Sequence, residues 1–520
     1  MDAPKVIGVV GAGTMGSGIA QLAAQSGATT LLFDAMEGAA EKGADRARAG
    51  IAKLVEKGRL SGDAAEIGAR LEAISSYDGF ADAELIVEAA PERLALKHEI
   101  FGELSRVAPG AVLASNTSSI PITAIARATA DASRVVGMHF FNPAPLMKLV
   151  EVVAGVASSE DALELARATG RAMDRRVIDA VDGPGFLVNR CNRPFTLESL
   201  RLLQEGIASV EEIDQIVRAA GFRMGPFELQ DLVGVDVSLE VSKSFYELSF
   251  GEPRWRPSVL KAQKVAAGHL GRKSGQGWYE YREGVPHREE DPPSPEPGVP
   301  DDVTGAVLIS GFLPLADELR ALADEASFAV AEEADGDVPW LIVECGPSED
   351  DAPPLQGAPR VVLCAEGPLQ ALDQGGAAAG FHALSPVGLV ELTRTEATSE
   401  VAADRAEQFF SALGRPTVWV ADAPGLVLGR ILAQVVNECA FAVGESVGSP
   451  EDIDAGMRLG LNYPIGPLEW ADTVSLDHIV MILDGLFDEY REERYRTAPL
   501  LRRVTAFHDH EHFGHDHGEP

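Results

Sequence analysis

Across residues 1–182, short apolar runs alternate with stretches in which apolar positions return every three or four residues. Lys5–Val10 (KVIGVV) reads as a strand, Ser17–Ser26 has helical spacing, and Thr29–Phe33 is a second strand ending at Asp34. The same pattern predicts strands at Leu85–Glu88, Ala111–Ala114, Val135–Met138 and Leu149–Val153, with helices between them. Strands alternating with helices predict a parallel, doubly wound sheet. After Asp182 the period changes. Leu187–Glu205, Val210–Ala220, Phe227–Phe250 and Pro257–Ala267 all read as helices, so an all-α domain is expected over 183–285.

The stretch Pro286–Asp302 (PHREEDPPSPEPGVPDD) is too rich in proline and acid to form a core and reads as a semi-rigid linker. Beyond it the pattern returns. Asp182-Gly-Pro-Gly-Phe-Leu-Val-Asn-Arg190 recurs as Asp422-Ala-Pro-Gly-Leu-Val-Leu-Gly-Arg430, Glu212-Ile-Asp214 as Asp452-Ile-Asp454, and Gly225-Pro-Phe-Glu228 as Gly466-Pro-Leu-Glu469. The first two offsets are 240 positions and the last is 241, which marks a duplicated helical domain over 422–506. Strand-like runs at Ala306–Ile309, Trp340–Val343 and Val361–Leu363 make 303–421 a worn second copy of the sheet domain. Residues 507–520 form a histidine-rich tail, read as solvated with no metal role.

Forty-four basic and 80 acidic residues leave a net charge of −36. A field of that sign repels nucleic acid and anionic membranes, so neither is an expected partner. No run is long and apolar enough to span a bilayer, and the N-terminus has no secretory pattern. Four scattered cysteines, none in a CxxC pair, fit a reducing compartment, and a cytoplasmic location is expected.

Gly11-Ala-Gly13-Thr14-Met15-Gly16 follows the first strand and opens a helix. Its glycines permit a tight turn, close approach of a pyrophosphate, and close helix–strand packing. Asp34 stands 18 residues after Gly16, where a carboxylate accepts bonds from ribose hydroxyls and repels a 2′-phosphate, so NAD is expected over NADP. The first domain is therefore read as a Rossmann-type, NAD-binding domain. Ala114-Ser-Asn-Thr-Ser-Ser119 follows another strand and reads either as a polar helix cap or as a ligand-facing loop. His139, in Gly137-Met-His-Phe-Phe-Asn-Pro143, lies twelve residues before Glu151. Histidine suits removal of a hydroxyl proton, and a carboxylate on its other nitrogen fixes the tautomer. A histidine beside aromatics also reads as a packed core residue. Asn189 can hold a carbonyl through its amide or can make a structural bond between domains.

At these residues the chain resembles the L-3-hydroxyacyl-CoA dehydrogenase family. The likeness rests on GAGTMGSGIA (Gly11–Ala20), SNTSS (Ser115–Ser119), HFFNPAPLMKLVEVV (His139–Val153), DGPGFLVNR (Asp182–Arg190), MGPFELQDLVGVD (Met224–Asp236) and GRKSGQGWYEY (Gly271–Tyr281). The second half resembles the long, single-chain 3-hydroxybutyryl-CoA or 3-hydroxyadipyl-CoA dehydrogenases of the phenylacetate-degradation type. The resemblance implies that an L-3-hydroxyacyl-CoA thioester and NAD give the 3-ketoacyl-CoA and NADH. It implies His139 as general base, Glu151 as its orienting partner, and Ser118 and Asn189 as donors to the substrate oxygen. It places Gly11, Gly13, Thr14, Met15, Gly16, Asp34, Glu92, Lys97, Asn142 and Lys273 at the cofactor, and Lys57 and Ser118 at CoA. Gly50 stands where some members have a serine that contacts CoA.

The expected fold is α/β: a Rossmann-type parallel sheet domain plus an all-α domain, followed by a degenerate second copy of both. Gly429 replaces Asn189 in the repeat, and Ser310-Gly-Phe-Leu-Pro314 replaces the glycine loop, so one active site per chain is expected. The second helical copy is expected to pair with the first as an internal pseudo-dimer, with further homo-oligomerisation open. Two other readings are a dehydrogenase of a free hydroxy acid and a non-catalytic, crystallin-like NAD-binding protein. The quartet Ser118, His139, Glu151 and Asn189 disfavours the latter, because packing alone does not require it.

Overall fold

The computed structural model describes residues 1–300, 303–331, 338–346, 357–374 and 376–506. The histidine tail and linker residues 301–302 lie outside them. The described chain forms two compact units: Met1–Arg190 with Ser446–Leu461, and Cys191–Glu445 with the chain from Asn462 onward.

The first unit is built on strands β1 (Val6–Val10), β2 (Thr29–Phe33), β3 (Leu71–Ala73), β4 (Leu85–Glu88), β5 (Val112–Ser115), β6 (Val135–Phe140), β7 (Leu149–Ala154) and β8 (Arg176–Val181). Their order is β3-β2-β1-β4-β5-β6-β7-β8. All neighbours are parallel except β6 and β7. Strands β4, β5 and β6 are buried along their whole length, which is why they read as near-continuous apolar runs. The chain reverses direction across the sheet between β1 and β4, and ligands of such sheets bind at the carboxyl ends of strands there. The helix Pro450–Leu461, from the second half of the sequence, also belongs to this unit, packing on β7 and β8.

The second unit holds β9 (Val307–Ser310), β10 (Val330–Ala331), β11 (Leu341–Glu344), β12 (Arg360–Leu363), β13 (Ala379–His382), β14 (Val390–Thr393) and β15 (Thr417–Trp419). Their order, β10-β9-β11-β12-β13-β14-β15, repeats the first sheet without a counterpart of β3 among the described residues. The one antiparallel pair, β13 and β14, sits where β6 and β7 do. Capping is duplicated too. Asp182 accepts N–H bonds from Ile122 and Thr123 at 2.9 and 2.8 Å, and Asp422 does the same for Leu369 and Gln370 at 2.7 and 3.0 Å. Ser159 and Ser399 each cap the helix that follows their sheet's reversed strand.

Two predicted helices are each divided. Phe227–Phe250 becomes Pro226–Val233 and Val235–Leu248, because Gly234 at φ 105° leaves the helical region. Leu187–Glu205 becomes Val188–Cys191 and Arg193–Glu205. In the second unit Arg193–Glu205 packs on Leu428–Gly444. There the wholly buried Arg430 guanidinium bonds Glu198 at 2.6 Å, Glu205 at 2.7 Å and the Tyr495 hydroxyl at 2.8 Å. The linker lies against protein: the His287 ring stacks on Tyr281 at 5.2 Å, Asp291 binds Arg218, and Gly298 donates its N–H to Ala412.

Candidate active site

The turn after β1 has the shape a pyrophosphate requires. Gly11 has φ 96°, and a Cβ there would stand 2.6 Å from the Ala89 carbonyl oxygen. A Cβ on Gly16 would fall 1.7 Å from the Gly11 oxygen, so this glycine is demanded by contact between helix and turn. Gly13 has nothing within 4 Å of its Cβ direction, and it begins the helix Thr14–Gln25 without a side-chain cap. Exposed Thr14 and half-buried Met15 form the first turn. Its N–H groups and dipole suit an anion. The Asp34 carboxylate closes the edge, accepting the Ala12 N–H at 2.7 Å and the Met36 N–H at 2.9 Å. An open glycine, an uncapped helix start and a carboxylate at the end of β2 together fit NAD.

His139 and Glu151 face each other in register across β6 and β7. The His139 Nδ1 lies 2.5 Å from Glu151 Oε2. The other carboxylate oxygen accepts N–H bonds from Leu187 at 3.1 Å and Val188 at 2.9 Å. These two N–H groups follow a turn in which Gly185 (φ 73°) and Phe186 (φ 52°) are both left-handed. A non-glycine residue there is strained, and successive N–H groups from such a turn form an anion cradle. Phe141 and Phe186 wall the imidazole, with ring centroids 4.6 and 5.8 Å away. With Nδ1–H donating to the carboxylate, Nε2 keeps its lone pair and can take a proton. Asn189, half-buried, sits one residue past Val188 on the same short helix.

The Ser115–Ser119 loop is organised by Glu92 and Lys97, expected at the cofactor, together with Glu88, which the sequence reading passed over. Glu88, at the buried end of β4, accepts the Ser115 hydroxyl at 2.6 Å and the Ala90 N–H at 2.6 Å. Lys97 donates to both Glu88 oxygens at 2.8 and 2.9 Å and lies 3.3 Å from Glu92. Glu92 in turn gathers the Thr117 hydroxyl at 2.6 Å, the N–H groups of Ser118 and Ser119 at 3.0 Å, and the Ser119 hydroxyl at 2.9 Å. Burial opposes its ionisation, yet Lys97 and the loop donors hold its carboxyl below the usual range. Asn116 joins this loop to the histidine strand by accepting the Phe140 N–H at 2.8 Å. An acid ending an otherwise apolar strand, LIVE at 85–88, was the signal available for Glu88.

Glu92 and Lys97 thus meet protein groups here, and the Lys97 side chain is only 1% exposed. Asn142 is exposed just past β6, and Lys57 is exposed at the C-terminal end of the helix Ala39–Glu56. On that helix a Cβ at Gly50 would lie 2.2 Å from Gln21 Oε1, so a serine there would have to displace the glutamine. Lys273 belongs to the other unit, where its ammonium pairs with Asp236 at 2.6 Å.

The second copy keeps the strand register, His382 opposite Glu391, and loses the pairing. Glu391 accepts the N–H groups of Val427 at 2.6 Å and Leu428 at 2.9 Å, as Glu151 does in the first copy. His382 Nε2 instead lies 3.2 Å from His478 Nε2, and the ring fills the space above Gly429, 2.2 Å from where its Cβ would be. Both histidines are fully buried. Burial pushes Glu391 up to about 8 and His478 down to about 4, so this copy holds neutral groups in a closed core. Among the described residues no three His, Cys, Asp or Glu side chains form a metal-binding group.

Residues 6–183 match the 3-hydroxyacyl-CoA dehydrogenase NAD binding domain, and residues 185–281 and 425–519 match the C-terminal domain of the same family. The chain is 35% identical to the 3-hydroxyadipyl-CoA dehydrogenase of Escherichia coli K12 over 96% of its own length and 97% of that protein. It is 38% identical to the 3-hydroxybutyryl-CoA dehydrogenase of Mycobacterium tuberculosis over 54% of its length and 99% of that protein. A crystal structure of 3-hydroxybutyryl-CoA dehydrogenase from Escherichia coli K12 superposes with a TM-score of 0.82 at 32% identity, covering 97% of this chain and 98% of the other.

Proposed function

The chain belongs to the 3-hydroxyacyl-CoA dehydrogenase family, with its C-terminal domain present twice, and from that premise we propose that it oxidises short or polar L-3-hydroxyacyl-CoA thioesters, of 3-hydroxybutyryl or 3-hydroxyadipyl type, at a single site built on His139. The observation that carries this reading is the 2.5 Å contact of His139 Nδ1 with Glu151, itself anchored by two backbone N–H groups. Bound at the glycine turn, NAD supplies the hydride acceptor. The turn and helix start hold the pyrophosphate, and Asp34 takes the ribose hydroxyls. His139 Nε2 accepts the proton of the 3-hydroxyl, and Glu151 stabilises the imidazolium that results. Ser118, on the loop held by Glu92, and Asn189, next to Val188, donate to the substrate oxygen and orient it. Phe141 and Phe186 limit water around the imidazole. Lys57 meets the CoA moiety.

The buried Arg430–Glu198–Glu205 cluster supports an internal pairing of the two helical copies, which would make self-association through that face unnecessary. Four buried cysteines, none in a disulfide, suit a reducing compartment, and we place the protein in the cytoplasm. Among the described residues no helix is long and apolar enough to cross a membrane. The test is NADH consumption with acetoacetyl-CoA, followed by comparison of kcat/KM for 3-hydroxybutyryl-CoA and 3-hydroxyadipyl-CoA. Turnover of the thioester and none of free 3-hydroxybutyrate is the expected result. Failure with every thioester would remove the proposal.

A further inference from the structure

The helix Pro450–Leu461 lies 240 positions after the helix Val210–Ala219, as part of the second helical copy, yet it packs within the unit that carries His139. We propose that this helix is the positioning element for the catalytic pair, so that the first half's active site is completed by the second half of the chain. The inference rests on the reading of His139 as the base.

The face it presents carries two glycines where it approaches the sheet. Ile453, Gly456, Met457 and Gly460 form its buried stripe, with Gly448 just before it. Spacings of three and four place those four on one side. A Cβ at Gly448 would lie 2.5 Å from Leu187 Cδ2. One at Gly456 would lie 2.6 Å from Val188 Cγ2 and 3.1 Å from Ile178 Cδ1. One at Gly460 would lie 2.8 Å from Leu149 Cδ2 and 3.1 Å from the Phe141 ring. Each of these neighbours is one step from the chemistry. Leu187 and Val188 donate the N–H groups that fix Glu151, Ile178 is the register partner of Glu151 on β8, and Phe141 lies against the His139 ring. Leu149 stands two residues before Glu151 on β7. Arg176 of β8 bonds Asp452 at 2.9 Å and sets the start of the helix along the strand.

The strained turn at Gly185–Phe186 needs such support, since a left-handed phenylalanine persists only where its surroundings determine it. Gly456, 305 positions after Glu151, lets the helix approach closely enough to hold Val188 in place. In the second unit the corresponding helix Val210–Ala219 has only an end contact of this kind: a Cβ at Gly388, just before β14, would lie 3.0 Å from the Ala219 oxygen. Through Pro450–Leu461 the second half of the chain has a part in the reaction.

The test uses the full-length enzyme. Gly456→Ala adds a methyl against Val188, and kcat with 3-hydroxybutyryl-CoA and NAD is expected to fall about 10- to 100-fold, the size of effect a small misplacement of reacting groups produces. NADH affinity, read by fluorescence, should change by no more than about twofold, and adding Val188→Ala should recover most of the turnover. Gly444→Ala, whose new methyl meets only Leu500 Cβ at 3.9 Å, should match the wild type. The nitrogen NMR signals of the His139 ring should move in Gly456→Ala and return in the double variant. If Gly456→Ala does not fold, Gly460→Ala paired with Leu149→Ala gives the same reading. Unchanged kcat and ring signals overturn the proposal, as does a loss that Val188→Ala fails to recover or that tracks NADH affinity. An inactive wild type whose ring signals still respond overturns the assigned function alone.

Discussion

At His139 the chemistry depends on which ring nitrogen is left free. Glu151 occupies the Nδ1 side and is itself held by two backbone N–H groups, so the base stays in one tautomer with Nε2 open. Replacing His139 with Gln keeps a polar side chain but removes the proton acceptor. Turnover should fall by about 100-fold or more, with NADH binding retained, because general-base catalysis contributes at least that much. Single-turnover kinetics beside a fluorescence titration checks both halves; undiminished turnover would exclude His139. Asp34 is the second decisive residue. Its charge lies at the end of β2 beside the glycine turn, and Asp34→Ser should relax discrimination against NADP. The ratio of kcat/KM for NAD to that for NADP measures this, and an unchanged ratio would show that the ribose is read elsewhere.

Among the elements, the helix Pro226–Val233 shows how buried charge couples to pH. Glu228, in its first turn, bonds Arg218 at 2.7 Å and Arg288 and His287 at 2.9 Å, and accepts the Gly225 N–H at 3.0 Å. Burial acts against the charge, but these donors pull its carboxyl down to about 2. The unfolded chain keeps an ordinary glutamate near 4.5, so between pH 4.5 and 2 the unfolded state binds the extra proton. The stabilisation is complete above that window and is lost as pH falls through it, amounting to about 3 kcal/mol at most. Urea unfolding at several pH values should therefore give a flatter curve for Glu228→Gln than for the wild type below pH 4.5. Parallel curves would show that Glu228 titrates alike in both states.

For the whole molecule, duplication has divided the labour. The first sheet keeps an open glycine turn and a paired imidazole; the second keeps the strand order, the caps and the carboxylate cradle, but closes its histidine against His478. Arg430 belongs to that division. It is wholly buried, and its removal would leave Glu198 to Arg201 alone and take the guanidinium from the partly exposed Glu205, which costs at most about 3 kcal/mol, the low end for a buried ion pair losing one partner. Arg430→Ala should show this in the denaturation midpoint of the full chain. A midpoint within experimental error of the wild type would mean that the cluster contributes nothing to stability.

The sequence by itself determined much of this protein. Local rules governed the glycine turn, the strand period and the repeat at 240 positions, because backbone geometry and alternation of apolar residues act over a few neighbours. His139 and Glu151 were legible as a pair because two adjacent strands return them to one level, twelve positions apart. Only the tertiary structure decided which helix supports them. Gly456 and Gly460 carry no signal in their own neighbourhood; their meaning lies in Val188, Leu149 and Phe141, hundreds of positions away in sequence and in van der Waals reach in space. The same holds for Glu88, whose partners Lys97 and Ser115 come from separate elements, and for the break at Gly234, where a left-handed backbone overrides a continuous helical pattern. Close packing and the pairing of buried charge are properties of neighbours in space, and a linear chain does not list them.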